Sequence, residues 1–164
     1  MVQPEGMDFR NEDYSRGKSP SRGRVFKAFR RGVAIAEWIE SVKGELDLDT
    51  WPDLGFRVLD VGSGTGGELA VFRQLFGCEV RGIEPDSASA KFSAEHMDIQ
   101  TDDKPFQEVE LKEQFDLVIM SHSLFCFPRP DEVLARISGL LTEEGLLYIS
   151  VGNYLRPKRW EGLG

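Results

Sequence analysis

The segment that most constrains the fold is Arg57–Gly67, RVLDVGSGTGG. Val58, Leu59 and Val61 give a short, almost wholly apolar run, the composition of a strand covered on both faces in a parallel sheet. Glycines stand at positions 62, 64, 66 and 67, and a helical pattern follows, with Leu69, Phe72 and Phe76 on one face and Gly77 as its stop. Strand, glycine turn and helix make half of a βαβ unit, and the alternation continues. Glu79–Ile83 reads as a second strand ending at Glu84-Pro85-Asp86, where Asp86 or Ser87 caps a helix reaching about Glu95. Met97–Thr101 is a weaker third strand, Phe115–Met120 a fourth and Leu146–Val151 a fifth. Pro130 opens a helix carrying Val133, Leu134, Ile137 and Leu141, and TEEG turns the chain into the last strand. Right-handed βαβ units of this kind build a three-layer α/β sandwich, a mostly parallel twisted sheet with helices on both faces.

Upstream, Phe26, Phe29, Val33 and Ala36 recur at helical spacing, and Trp38, Ile39 and Val42 extend the same apolar face. Residues 1–22 are polar and glycine-, serine- and proline-bearing, so a flexible basic arm is expected there. Arg10 to Arg31 holds eight basic residues against two acids, yet the whole chain carries a net charge of −8. That balance argues against nucleic acid as the main partner, and a solvated arm is preferred over a phosphate- or RNA-contacting one. No apolar run has the length of a membrane span, and the polar opening is unlike a signal peptide. Cys78 and Cys126 show neither metal nor redox spacing, which suits reduced thiols in the cytoplasm.

The chemistry concentrates at the strand ends. Gly62, Gly64 and Gly67 satisfy the dinucleotide pattern G-x-G-x-x-G, a weak signal that an ordinary glycine turn also meets. Glu84 strengthens it. It ends the next strand, 24 positions after Asp60, where a carboxylate can accept both hydroxyls of a ribose. Asp60 changes the reading. Nicotinamide-binding loops carry an apolar or neutral residue there, and an acid suits a ligand with positive charge close by.

The runs VLDVGSGTGG, VRGIEPD, FDLVIM and LLTEEGLLYISV together resemble class I S-adenosylmethionine-dependent methyltransferases, in that order and spacing, over about residues 57–153. The resemblance implies a Rossmann-like sheet in the order 3-2-1-4-5 and S-adenosylmethionine as cofactor. It also implies methyl transfer to a small-molecule or biosynthetic-intermediate acceptor. Asp60 with Gly62, Ser63, Gly64 and Gly66 would hold the methionine part, Glu84 the ribose, and Pro85-Asp86 would flank the adenosine. Asp102 or Asp103 would meet the adenine amino group, and Ser121 and His122 would line the methyl-donor pocket. His122 is the candidate base, with a packing role beside the cofactor as the simpler alternative. Phe125 and Phe127 either line an acceptor pocket or pack in the core. The family's sheet continues past the fifth strand with a helix and an antiparallel strand pair that do not follow here. The expectation is therefore a domain over residues 23–164 that is incomplete at its C-terminus, or a homodimer that covers the exposed edge. A non-catalytic cofactor-binding or dimerisation module is the rival reading, and a nicotinamide-dependent enzyme the third.

Overall fold

The computed structural model describes residues 18–45 and 55–152. Most of the expected arm lies outside the described residues. So does most of the segment between the first helix and the first strand. The helix α1 spans Arg22–Val42, begun by Ser21, whose hydroxyl accepts a hydrogen bond from the Arg24 N–H at 3.3 Å. Strand β1 (Arg57–Val61) leads into α2 (Gly67–Phe76), which Gly77 ends in a left-handed conformation. Strand β2 (Glu79–Ile83) leads into α3 (Ser87–Met97), capped by Asp86. The third strand, β3, occupies Gln100–Asp102, later than its sequence suggests, because α3 runs on through Met97 and stops at a left-handed Asp98. Strand β4 (Phe115–Ser121), α4 (Pro130–Leu140) and β5 (Leu141–Ser150) complete the order.

The five strands form one sheet in the order β3-β2-β1-β4-β5, every neighbouring pair parallel. The expected three-layer arrangement is present. Ile35, Ala36 and Ile39 of α1 pack with Leu69 and Phe72 of α2 over Val58, Leu117 and Ile119. On the opposite face Val133 and Ile137 of α4 join Phe106 over Leu59, Val61, Val118 and Met120. Fully burying a side chain such as Ile39 or Phe72 stabilises the fold by roughly 1.5–3 kcal/mol. Among the described residues no helix is long and apolar enough to cross a membrane.

Two local expectations are corrected. The buried face of α1 is Ala28, Gly32, Ile35, Ala36 and Ile39, flanked by Phe29; Phe26, Val33 and Trp38 are exposed. Small residues win that face because α1 lies almost against the α2 backbone. The segment TEEG is not a turn before the strand but an irregularity within it. Phe115 pairs with Leu141 and Leu117 with Leu146, so β5 holds three more residues than β4 over the same rise. Thr142 Oγ1 donates to Asp116 Oδ1 at 3.1 Å, and a Cβ on Gly145 would stand 2.9 Å from the Phe115 carbonyl oxygen. The bulge thus closes back on the edge of β4.

The α1–α2 contact yields a paired test. A Cβ on Gly32 would meet the Glu68 Cα and carbonyl oxygen at 2.9 Å, backbone atoms that cannot step aside. Gly139 in α4 has nothing within 4 Å of the same position. Gly139→Ala is expected to stabilise the protein by about 0.5–1 kcal/mol through helix propensity alone. Gly32→Ala gains the same term but is expected to lose about 1–3 kcal/mol to overpacking, for a net destabilisation. Urea unfolding midpoints of the two variants measure the difference in sign.

Candidate cofactor site

The strand order reverses at β1. Its C-terminal tip therefore stands between the tips of β2 and β4, the place where open α/β sheets form a crevice. The loop leaving β1 is fixed to both neighbours. The N–H groups of Gly62 and Ser63 donate to the Ile83 carbonyl of β2 at 2.8 and 3.1 Å. Ser123, just past β4, donates its hydroxyl to the Val61 carbonyl at 2.5 Å. A Cβ on Gly62 would lie 2.6 Å from the Ser123 Cβ, and one on Gly66 2.2 Å from the Ser93 Oγ of α3. These two glycines let neighbouring segments close in. A Cβ on Gly64, by contrast, would have only Glu84 Oε2 within reach, at 4.0 Å, so space is open there toward the crevice.

Glu84 sits at the tip of β2 and is partly buried. Its Oε2 accepts the Gly64 N–H and its Oε1 the Asp86 N–H, each at 2.8 Å. Burial pushes its pKa up, and the two N–H donors pull in the other direction. Each oxygen keeps a lone pair for a further donor. Asp86 is buried as the cap of α3, its Oδ2 accepting the Ser89 N–H at 3.2 Å.

Asp60 differs from both. Strand alternation turns it to the same face as Val58, under α1 and α2. It is 0% exposed, and among the described residues neither carboxylate oxygen has a hydrogen-bond donor. The hydroxyls of Ser63 and Thr65 are likewise buried without partners. Burial is the main cause that raises the Asp60 pKa well above the ordinary carboxylate value, the charge of Glu68 adds to it, and Arg31 opposes it. Four orphaned polar atoms lining one loop are what a polar ligand with hydrogen-bond donors and acceptors would satisfy.

The remaining predicted residues divide. Pro85 lies between Glu84 and Asp86, partly buried. Asp102, at the end of β3, is ion-paired to Arg81 Nε at 2.8 Å, and Arg81 also bonds Glu113. Asp103 is exposed. Ser121 ends β4, buried, its hydroxyl accepting from Ser150 Oγ at 3.3 Å. His122 is exposed, with a left-handed φ of 58° and its N–H donating to the Ser150 carbonyl at 2.9 Å. That conformation costs a non-glycine residue about 1–3 kcal/mol and turns the chain sharply off β4 across the crevice. The two phenylalanines separate: Phe127 packs edge-on to Phe106 in the core, whereas Phe125 is 55% exposed. Sequence reasoning missed Glu68, Arg31 and Ser123. The only signal for Glu68 was an acid among the apolar residues that open α2, and Arg31 carried none.

A profile of the family described as methyltransferase domain matches residues 22–162. The chain belongs to that family. The ubiquinone biosynthesis O-methyltransferase of Bradyrhizobium sp. (strain ORS 278) is 32% identical over 104 residues, covering 60% of this chain and 41% of that protein. The protein of the same name from Rhodopseudomonas palustris (strain TIE-1) is 29% identical over 104 residues, again 41% of its length. The chain thus spans about two-fifths of the length of the curated relatives it matches. Among solved structures, the plantazolicin methyltransferase BpumL in complex with a monoazolic desmethylPZN analogue and SAH superposes with a TM-score of 0.60 at 14% identity, over 78% of this chain and 52% of that one. CalS10 with SAM bound, an amino pentose methyltransferase from Micromonospora echinaspora, gives 0.58 at 23% identity, over 83% and 53%. These likenesses agree with the class I sheet order.

The state of Asp60 has a consequence for stability. Its folded pKa is raised, so it contributes stability that is present below the unfolded carboxylate value and lost as pH rises through the folded value. Glu84 has the same sign. Asp60→Asn removes the cost that the raised pKa of this buried acid imposes above the unfolded carboxylate value. It is expected to raise the thermal midpoint of the ligand-free protein near neutral pH by about 2–4 °C, corresponding to ~1 kcal/mol. The gain should vanish as pH falls toward about 4, where both forms are neutral. Thermal melts across that range measure it.

Proposed function

We propose that this domain binds S-adenosylmethionine at the β1–β2 tips and takes part in methyl transfer to a small-molecule acceptor. One observation carries the reading: a fully buried acid without a donor, Asp60, stands beside an open stretch of main chain and a second, half-satisfied acid, Glu84. The chain's family membership and the methyltransferases it resembles support it.

In this reading Asp60 receives the cationic amino group of the methionine moiety, and the loop Gly62–Gly66 receives its polar atoms through Ser63, Thr65 and bare backbone. Glu84 accepts the ribose hydroxyls with the lone pairs its two backbone donors leave free. Pro85 borders the adenosine, and Asp103 serves the adenine amino group more readily than Asp102, which Arg81 already holds. Ser121 and His122 form the wall on the β4 side. When bound, the cofactor supplies a methyl group made electrophilic by a sulfonium centre. The residues of this chain then bind, orient and exclude water, and alignment of the two reactants is worth up to roughly 7–11 kcal/mol of the barrier. His122, exposed at the crevice rim, is the group able to take a proton from a hydroxyl or amine acceptor.

Calorimetric titration tests the reading. S-adenosylhomocysteine should bind the 164-residue chain and NAD should not. Glu84→Ala, checked for folding by circular dichroism, is expected to weaken S-adenosylhomocysteine about 10–100-fold, the loss of hydrogen bonds to a charged group. Unchanged affinity in that variant would remove the ribose role. Methyl release from labelled cofactor in an extract, with and without the protein, separates transfer from binding alone.

A further inference from the structure

Beneath the loop, three charged groups from three elements meet. Arg31 of α1 donates its Nε to Glu68 Oε1 of α2. The Glu68 side chain is 3% exposed, whereas the Arg31 side chain is 43% exposed. Asp60 of β1 lies close enough for Glu68 to disfavour its ionisation, and Arg31 to favour it. The contact is rigid, because Gly32 brings α1 within 2.9 Å of the Glu68 backbone for any added Cβ. From β2, Glu84 faces the same region, but it holds two backbone N–H groups and has Arg24 nearby. From β4 the register partner of Asp60 is Ile119, which carries no charge.

Charge can be counted on this cluster. Two ionised carboxylates and one guanidinium leave one net negative charge, and both carboxylates are buried, which is costly. A proton on Asp60 removes that charge. So does an ammonium group arriving at the unpartnered Asp60 oxygens. The two occupants compete for one position.

We propose that Asp60, Glu68 and Arg31 form a charge-balanced receptor that exchanges one proton for the ammonium group of the ligand. Arg31 and Glu68 are its positioning residues. The proton leaves Asp60 for solvent as the ammonium pairs with the carboxylate, and no bond other than O–H is broken. Arg31 pairs with Glu68 and holds it in place, so that the carboxylate left to exchange is Asp60. The cluster therefore selects ligands by the ammonium group and not by the nucleoside. This inference rests on the cofactor reading above and adds to it a proton stoichiometry and two residues.

The experiment is titration of the full chain with S-adenosylhomocysteine in buffers of differing ionisation enthalpy, at a series of pH values. Proton release should rise to roughly one per ligand bound as pH is lowered through the Asp60 titration, with affinity falling up to about tenfold per unit of pH over the same range. 5′-Methylthioadenosine, which has the same nucleoside but no ammonium group, should bind with no proton release. In Glu68→Gln the guanidinium faces Asp60 alone, and the pH profile of affinity and of proton release should shift to lower pH. In Arg31→Gln, a substitution at a partly exposed position, both profiles should shift to higher pH. Binding of S-adenosylhomocysteine with heats independent of buffer at every pH overturns the exchange while leaving the cofactor reading intact. Profiles unmoved in Glu68→Gln overturn it too, assigning the proton to Glu84. Absence of any S-adenosylhomocysteine binding overturns the cofactor reading and this inference together.

Discussion

The structure depends on one costly placement, a carboxylate at the end of the central strand with no partner of its own. Asp60 is at 0% exposure in the middle of a sheet whose neighbouring positions are Leu59, Val61 and Ile119. A strand so placed would be more stable with an apolar residue, because a buried polar group without a hydrogen bond costs on the order of 1–3 kcal/mol. The surrounding fold tolerates it by keeping a counter-charge one step away. Arg31 reaches Glu68, and Glu68 reaches toward Asp60. Stability is given up at the point where a ligand can restore it, a pattern of functional sites.

The rest of the site is arranged around that position by main-chain contacts. The Ile83 carbonyl holds the start of the loop, Ser123 holds the end of β1, and Glu84 holds Gly64. Each of these bonds ties the end of β1 or the loop after it to the end of a neighbouring strand or to a residue just past it, so the sheet helps to pre-form the loop. Pre-formed donors and acceptors spare the ligand the cost of ordering them. The left-handed His122 extends the same logic to β4, where a local backbone cost redirects the chain across the crevice.

α1 has a double role. It covers one face of the sheet with small residues, and the closeness they allow brings Arg31 to the cofactor side of the core. Packing and electrostatics thus share one contact. A bulkier residue at Gly32 would lift the helix and carry the counter-charge away with it.

Much of this was legible along the chain. The β2 strand, the stop at Gly77 and the start of α4 at Pro130 follow from local propensity and capping, which act over a few residues. The glycine turn after β1 and the placing of Asp60 and Glu84 at strand ends were readable because glycines mark where a strand stops and a turn begins. Periodicity failed for α1: it counts apolar residues, and the face that packs closest uses Gly32 and Ala28 while Phe26 and Trp38 face solvent. It failed for β5 because a bulge closed by Asp116 and Gly145 is a property of two paired strands. The meeting of Arg31, Glu68 and Asp60 could not be read at all. The three stand on separate elements, Arg31 lies 37 positions before Glu68, and only the crossing of α1 over α2 above the sheet brings it there. The sequence by itself determined the elements and the acids at their ends; the tertiary structure decided which charges share a dry space, since local sequence sets backbone conformation while electrostatic coupling depends on distance and burial.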